Sequence, residues 1–226
     1  MERNDMKSHD RFVPAAGRKI FTAAYDPVMA ITMRQLAWRP QLAERILAEV
    51  PDGGTVVDVG SGSGTFAIEL NAMRPDIEVA GVDGDPNILD LARRKDGGAH
   101  VHWRQGLATD LPFEDQSSDA VVMSLLLHHL GLEAKLEAIR EAKRVLKPEG
   151  KLHLSDWGAP DLITYPGFFV LRMLDGFSNT KVHADGSLAG LVQKSGFDEV
   201  QLWKRLRTIW GSLELISCGS KTRVVD

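Results

Sequence analysis

The chain has 226 residues, 43% apolar and 26% charged, with a net charge of −4; this ordinary soluble mixture suits one α/β domain with a sizeable core. The charge excludes the basic footprint of a nucleic-acid-binding surface, and the only cysteine, Cys218, excludes an intramolecular disulfide and a multi-thiolate metal site. The first residues lack an apolar signal segment, and the apolar run Leu162–Leu171 is too short to cross a bilayer and contains Pro166 and Gly167, so a soluble, cytoplasmic chain is expected.

Residues 1–20 are polar and irregular, a lead-in. Asp26 and Pro27 have the form of a helix start, a cap carboxylate before a proline at the first helical position, with Val28, Ile31 and Leu36 as a partial apolar face. Pro40 is expected to start a second helix carrying Leu42, Ile46 and Val50, ended by Pro51–Gly54. Thr55–Val59 reads as the first strand, Thr65–Ala72 as a helix and Ile77–Val82 as the second strand. Asp85 and Pro86 repeat the cap-and-proline start, with Ile88, Leu89 and Ala92 facing the core. A third strand is expected near His100–Trp103.

Ala120–Leu127 is a nearly unbroken apolar run, as a parallel strand covered on both faces requires. Leu132, Leu136, Ile139 and Val145 recur at helical spacing, Pro148–Gly150 reads as a turn, and Lys151–Ser155 as the fifth strand. Residues 157–186 carry aromatics and glycines without a continuous amphipathic face. Leu188, Leu191 and Val192 predict a helix ended by Gly196, and Val200–Leu206 and Ser212–Cys218 two final strands. The alternation predicts a doubly wound α/β fold. The small cluster Lys204, Arg205 and Arg207 reads as a solvated face.

The most informative stretch is Thr55–Thr65. A β-branched strand delivers Asp58 and then Gly60, Gly62 and Gly64, and the next strand also ends in an acid, Asp83. Two adjacent strands, one ending in a glycine-rich loop and the next in a carboxylate, make a nucleoside cleft. The hydride-transfer fingerprint asks for glycines at relative positions one, three and six. Gly60 and Gly62 meet it, but the sixth position is Thr65 and the third glycine is Gly64. A nucleotide-linked oxidoreductase is thereby weakened, and a non-catalytic nucleoside-binding regulatory protein stays as a further alternative.

Five ordered motifs make the resemblance specific. They are Val57-Asp-Val-Gly-Ser-Gly-Ser-Gly64, Gly81-Val-Asp83, Asp110-Leu-Pro-Phe113, Leu127-His-His-Leu130 and Arg144-Val-Leu-Lys-Pro-Glu-Gly150. From about Tyr25 to Ser155 the chain resembles the class I S-adenosylmethionine-dependent methyltransferases, within the small-molecule group that includes the ubiquinone/menaquinone C-methyltransferases. The resemblance implies a mostly parallel seven-stranded sheet with an antiparallel last strand. It implies residues 1–50 as a helical lead-in and lid and 51–226 as the methyltransferase domain. It also implies methyl transfer from S-adenosylmethionine to a small organic or lipid-like acceptor; a homo-oligomer is left open. His128 and His129 are adjacent and do not form a metal pair by spacing alone, so no metal is expected.

The same resemblance assigns the site. Gly60, Ser61, Gly62 and Gly64 would let the backbone pass close to the ligand. Asp58 would orient its amino end or cap the loop. Asp83, followed by Gly84, would accept from both ribose hydroxyls or serve as a turn carboxylate. Leu107 and Ala108 occupy the adenine edge. Many relatives have an acid where this chain has Leu107, which would pack on the ring or belong to the core. Ser124 opens the segment beside the methionine arm, and His128 or His129 would line the acceptor pocket or both would be structural. Tyr25 would close over the cofactor or anchor a helix. Tyr165, Phe168, Phe169, Met173 and Phe177 would line an apolar acceptor site or complete the core. No catalytic base is assigned.

Overall fold

The computed structural model describes residues 30–97 and 100–220. The expectations for the lead-in, for Tyr25 and for the helix start at Asp26, Pro27 and Val28 lie outside the described residues. The strands are β1 (Thr55–Val59), β2 (Glu78–Asp83), β3 (Val101–Gln105), β4 (Ser118–Ser124), β5 (Leu146–Gly158), β6 (Glu199–Thr208) and β7 (Gly211–Gly219). The helices are α1 (Gln35–Glu49), α2 (Thr65–Met73), α3 (Pro86–Asp96), α4 (Leu132–Val145), α5 (Tyr165–Asp175), α6 (Lys181–Ala184) and α7 (Leu188–Lys194), with a 3₁₀ turn at Leu127–His129.

They form one 7-stranded sheet of order β3-β2-β1-β4-β5-β7-β6. β1 through β5 pair in parallel, and β7 inserts antiparallel between β5 and β6. The expected doubly wound fold with an antiparallel last strand is therefore the fold observed. The order reverses between β1 and β4, the place where open α/β sheets form a crevice at their carboxyl edge.

Alternation along the strands builds a core on each face. Val56 and Val122 point to one face, against Trp38, Leu42 and Ile46 of α1, Phe66 and Leu70 of α2, and Phe168 and Leu171 of α5. Val57, Val59, Val121 and Met123 point to the other, against Ile139 and Ala142 of α4 and Val192 of α7. Each fully buried aliphatic side chain contributes about 1.5–3 kcal/mol. α3 follows its expected start: Pro86 stands at its head, and the Asp85 carboxylate accepts from the Asn87 amide at 2.9 Å.

Several boundaries differ from expectation. Pro40 lies inside α1 instead of starting a helix. It sits on the exposed face, one turn after Leu36, where the carbonyl that loses its amide partner meets water. The apolar face expected from Ile31 and Leu36 is absent, both being strongly exposed; Trp38, Leu42 and Ile46 carry the burial. Leu127 leaves β4 and enters the 3₁₀ turn. β5 is 13 residues long and runs through Pro148–Gly150, with a register shift where the expected turn stands. The unpatterned stretch contains α5, whose buried residues are only Phe168 and Leu171, too few to generate a legible apolar period.

Candidate functional site

The carboxyl edge of β1, β2, β3 and β4 gathers Asp58, Gly60, Ser61, Gly62, Gly64, Asp83, Gly84, Leu107, Ala108 and Ser124. The amides of Gly60 and Ser61 both donate to the Val82 carbonyl, at 2.8 and 3.0 Å, so the loop after β1 hangs on the end of β2. The Gly62 amide donates to Asp83 Oδ2 at 3.0 Å, and the Asp85 amide donates to Asp83 Oδ1 at 3.0 Å. Asp83 is thus a turn carboxylate in fact, yet an ionised carboxylate with two oxygens keeps further acceptor capacity. The Gly106 amide donates to the Asp83 carbonyl at 3.1 Å, which brings the Leu107–Ala108 segment to the same edge.

Two glycines of the loop serve different needs. Gly64 has φ +78°, and a Cβ there would stand 2.4 Å from the Trp103 ring and 2.9 Å from the Ala92 methyl. Gly62 has φ +55°, and a Cβ there would meet nothing within 4 Å. Gly64 is therefore required by packing below the loop, while Gly62 faces open space above it. The Ser61 hydroxyl is buried and lacks a hydrogen-bond partner among the described residues. Trp103, which also closes over Gly81, enters the sequence reading only as the end of the third strand.

Asp58 follows Val56 on the alternation of β1, so its side chain enters the α1/α2 face and is only 2% exposed. Burial pushes its carboxyl up to about 7; neighbouring Asp83 adds to the rise and Arg39 opposes it. Burial also raises Asp83, against the amides of Asp85 and Gly62 that favour its anion. Leu107 is 41% exposed, which removes the core reading of that side chain.

Beyond β4 the backbone is strained. Leu125 is non-glycine with φ +53°, and its amide donates to the Ser155 carbonyl at 2.7 Å. Ser124 and Ser155 share a hydroxyl contact of 2.8 Å across β4 and β5. The 3₁₀ turn then sets His128 against β5: its Nδ1 lies 2.8 Å from Asp156 Oδ1. His183 of α6 approaches the same oxygen at 3.8 Å from its own Nδ1, which is bonded to the Trp157 carbonyl at 2.7 Å. Burial would raise the Asp156 carboxyl, but His128 and His183 hold it well below the usual range. Burial pushes His183 down to about 4. Asp156 and His183 went unread in the sequence. The available signal was that β1 and β2 each carry an acid at or next to their carboxyl end, and Asp156 directly follows Ser155, where β5 was expected to end.

Helix α5 carries Tyr165, Phe169 and Met173 at four-residue spacing, all substantially exposed, with Phe177 just past its end. The Phe169 and Phe177 rings meet edge to face at 5.8 Å. Phe168 is 1% exposed, so of its two expected roles the core one holds: it lies against Gly211 of β7 and completes the core. Lys204, Arg205 and Arg207 are each paired, with Gln41, Glu214 and Asp161. Among the described residues no helix is long and apolar enough to cross a membrane.

The comparisons agree with this arrangement. A family described as "Methyltransferase domain" matches residues 57–154. A demethylmenaquinone methyltransferase of Deinococcus radiodurans is 37% identical over 125 residues, 54% of this chain and 50% of that protein. A ubiquinone/menaquinone biosynthesis C-methyltransferase of Desulfotalea psychrophila is 31% identical over 171 residues, 72% of this chain and 68% of that protein. The crystal structure of an S-adenosylmethionine-dependent methyltransferase from Methanosarcina mazei superposes with a TM-score of 0.62 at 22% identity, covering 78% of this chain and 97% of that one. The chain spans about half the length of the first of these relatives. The oxidoreductase and non-catalytic readings gain no support from them. With its glycine loop, its acid-ended strands and its antiparallel last strand, the chain belongs to the class I S-adenosylmethionine-dependent methyltransferases.

Proposed function

We propose that the protein transfers a methyl group from S-adenosylmethionine to a small, lipid-like organic acceptor. One observation carries the cofactor half: the loop after β1 is tied to Asp83 while its outer face, at Gly62, stays open. In this reading Gly60, Ser61, Gly62 and Gly64 hold the methionine and ribose parts. Asp83 and Gly84 take the ribose hydroxyls, and Asp58 takes the amino end. Leu107 packs on the adenine ring with Ala108 beside it, and Ser124 borders the methionine arm. Residues 1–50 lead into the domain of residues 51–226, and Tyr25 closes over the cofactor.

When bound, the cofactor supplies an electrophilic methyl group on its sulfonium. The chain's own residues orient the cofactor, exclude water and hold the acceptor in line with the departing sulfur. Such positioning is worth about 7–11 kcal/mol in well-oriented systems. The exposed apolar stripe of α5, with Tyr165, Phe169 and Met173, supports an apolar acceptor. Relatives named for demethylmenaquinone and ubiquinone/menaquinone biosynthesis point within that class to a quinone-like ring. The testing experiment incubates the protein with methyl-labelled cofactor and fractionated lipid and polar metabolite extracts. Label should enter an apolar small molecule; label entering only polar metabolites would contradict the acceptor class.

A further inference from the structure

We propose that His128, His129 and Asp175 form a binding site for a divalent transition-metal ion of the Zn²⁺, Fe²⁺ or Co²⁺ class, at the carboxyl edge of β4 and β5. One ligand atom from each of the three lies within 4.8 Å of the others. His129 Nδ1 is 3.2 Å from Asp175 Oδ1, and His128 Nε2 is 3.8 Å from Asp175 Oδ2. Bonds of about 2.0–2.2 Å to one metal put neighbouring ligands roughly 3–3.5 Å apart, so small side-chain rotations close the site. Two imidazoles and one carboxylate select a borderline metal over Ca²⁺ or Mg²⁺ and leave coordination positions open.

Three further features distinguish this cluster from a chance meeting of polar side chains. First, His128 uses Nδ1 on the buried Asp156. With Nδ1 donating, Nε2 presents its lone pair toward Asp175, the second-shell arrangement by which carboxylates orient metal-binding imidazoles. Second, the two chain segments that bring the ligands together are tied to each other. Asn179 Nδ2 donates to the carbonyls of both His129 and Asp175, at 3.1 Å each. The buried Lys135 ammonium donates to the Leu130 carbonyl and to the Asn179 carbonyl. Third, Asp175 is the last residue of α5. A carboxylate at a helix C-terminus opposes the helix dipole, and a cation between it and the imidazoles relieves that opposition.

His128 is buried, whereas the His129 and Asp175 side chains are 25% and 15% exposed. The open coordination positions therefore face outward, on the same helix that carries Tyr165 and Phe169. On the methyltransferase reading above, a metal there would polarise an oxygen of the acceptor. The binding site itself does not depend on that role.

The test uses the full chain, freed of metal and titrated with Co²⁺, followed by visible absorption and calorimetry. One equivalent should bind with ligand-field bands of a nitrogen- and oxygen-coordinated ion. Asp156→Asn should weaken Co²⁺ binding about 10- to 100-fold, the usual effect of losing a second-shell partner. His129→Gln and Asp175→Asn should weaken it at least as much while keeping the wild-type melting temperature and affinity for S-adenosylhomocysteine. No bands and no heat with millimolar Co²⁺ would overturn the site, as would undiminished binding in both His129→Gln and Asp175→Asn. S-adenosylhomocysteine binding is measured on the same samples, so failure of the metal site is separable from failure of the methyltransferase reading.

Discussion

The Gly62 amide and the Asp83 carboxylate are joined across 3.0 Å, so one side chain fixes the glycine loop of β1 to the end of β2. Asp83 thereby acts twice: it shapes the loop and offers its remaining lone pairs to the cleft. Asp83→Ala removes both contributions. A hydrogen bond to a charged group is worth about 1.5–3 kcal/mol, so cofactor affinity should fall about 10- to 150-fold. Calorimetry on the folded variant checks this, and an unchanged dissociation constant would reject Asp83 as a cofactor contact.

The glycine loop offers a steric contrast. Gly62→Ala adds a methyl to open space at φ +55° and should cost only the left-handed strain, about 1–2 kcal/mol. Gly64→Ala adds one 2.4 Å from Trp103 and 2.9 Å from Ala92 at φ +78°, and should destabilise the fold considerably more. Thermal melts of the two variants decide it; equal losses would contradict the division of labour within the loop.

Asp58 gives a pH signature. Its carboxyl stands at about 7 in the folded protein because it is buried, against about 3.9 in an unfolded chain. A raised folded pKa contributes stability that is present in full below pH about 4 and lost as pH rises through about 7. The ligand-free protein should therefore lose more melting temperature between pH 5 and 8 than Asp58→Asn does. If Asp58 receives the cationic amino end of the cofactor, binding favours its anion, and affinity should rise over the same window in the wild type only. A parallel pH dependence in Asp58→Asn would contradict both statements.

Much of this architecture was legible because strand burial and glycine geometry are local. Thr55–Val59 is buried on both faces, and Gly60, Gly62 and Gly64 all adopt positive φ, so their spacing reports a loop directly. The cluster around Asp156 was not legible, because it joins a 3₁₀ turn, a strand end and two helices separated by tens of residues. His128 and His129 could be singled out, but nothing in the sequence says that Asp156 and Asp175 face them. Helix α5 was missed for a related reason. Only Phe168 and Leu171 of its eleven residues are buried, and its remaining apolar residues face outward, so no single apolar period emerges. Pro40 misled because an exposed helix position tolerates the amide it lacks.

Adjacent phenylalanines separate the core from the proposed acceptor wall. Phe168 is 1% exposed and Phe169 is 42% exposed. Phe168→Ala should cost about 3–5 kcal/mol of stability. Phe169→Ala should leave the melting temperature nearly unchanged and raise the acceptor KM. A Phe169→Ala protein that is equally stable and has an unaltered KM would remove Phe169 from the acceptor site.

Calorimetric titration of the purified protein with S-adenosylhomocysteine and, separately, with NAD separates methyl-donor binding from dinucleotide binding in the cleft. A single site of micromolar dissociation constant is expected for S-adenosylhomocysteine, with no comparable heat from NAD, whose glycine pattern fails at Thr65. Tight NAD binding without response to S-adenosylhomocysteine or S-adenosylmethionine would contradict it.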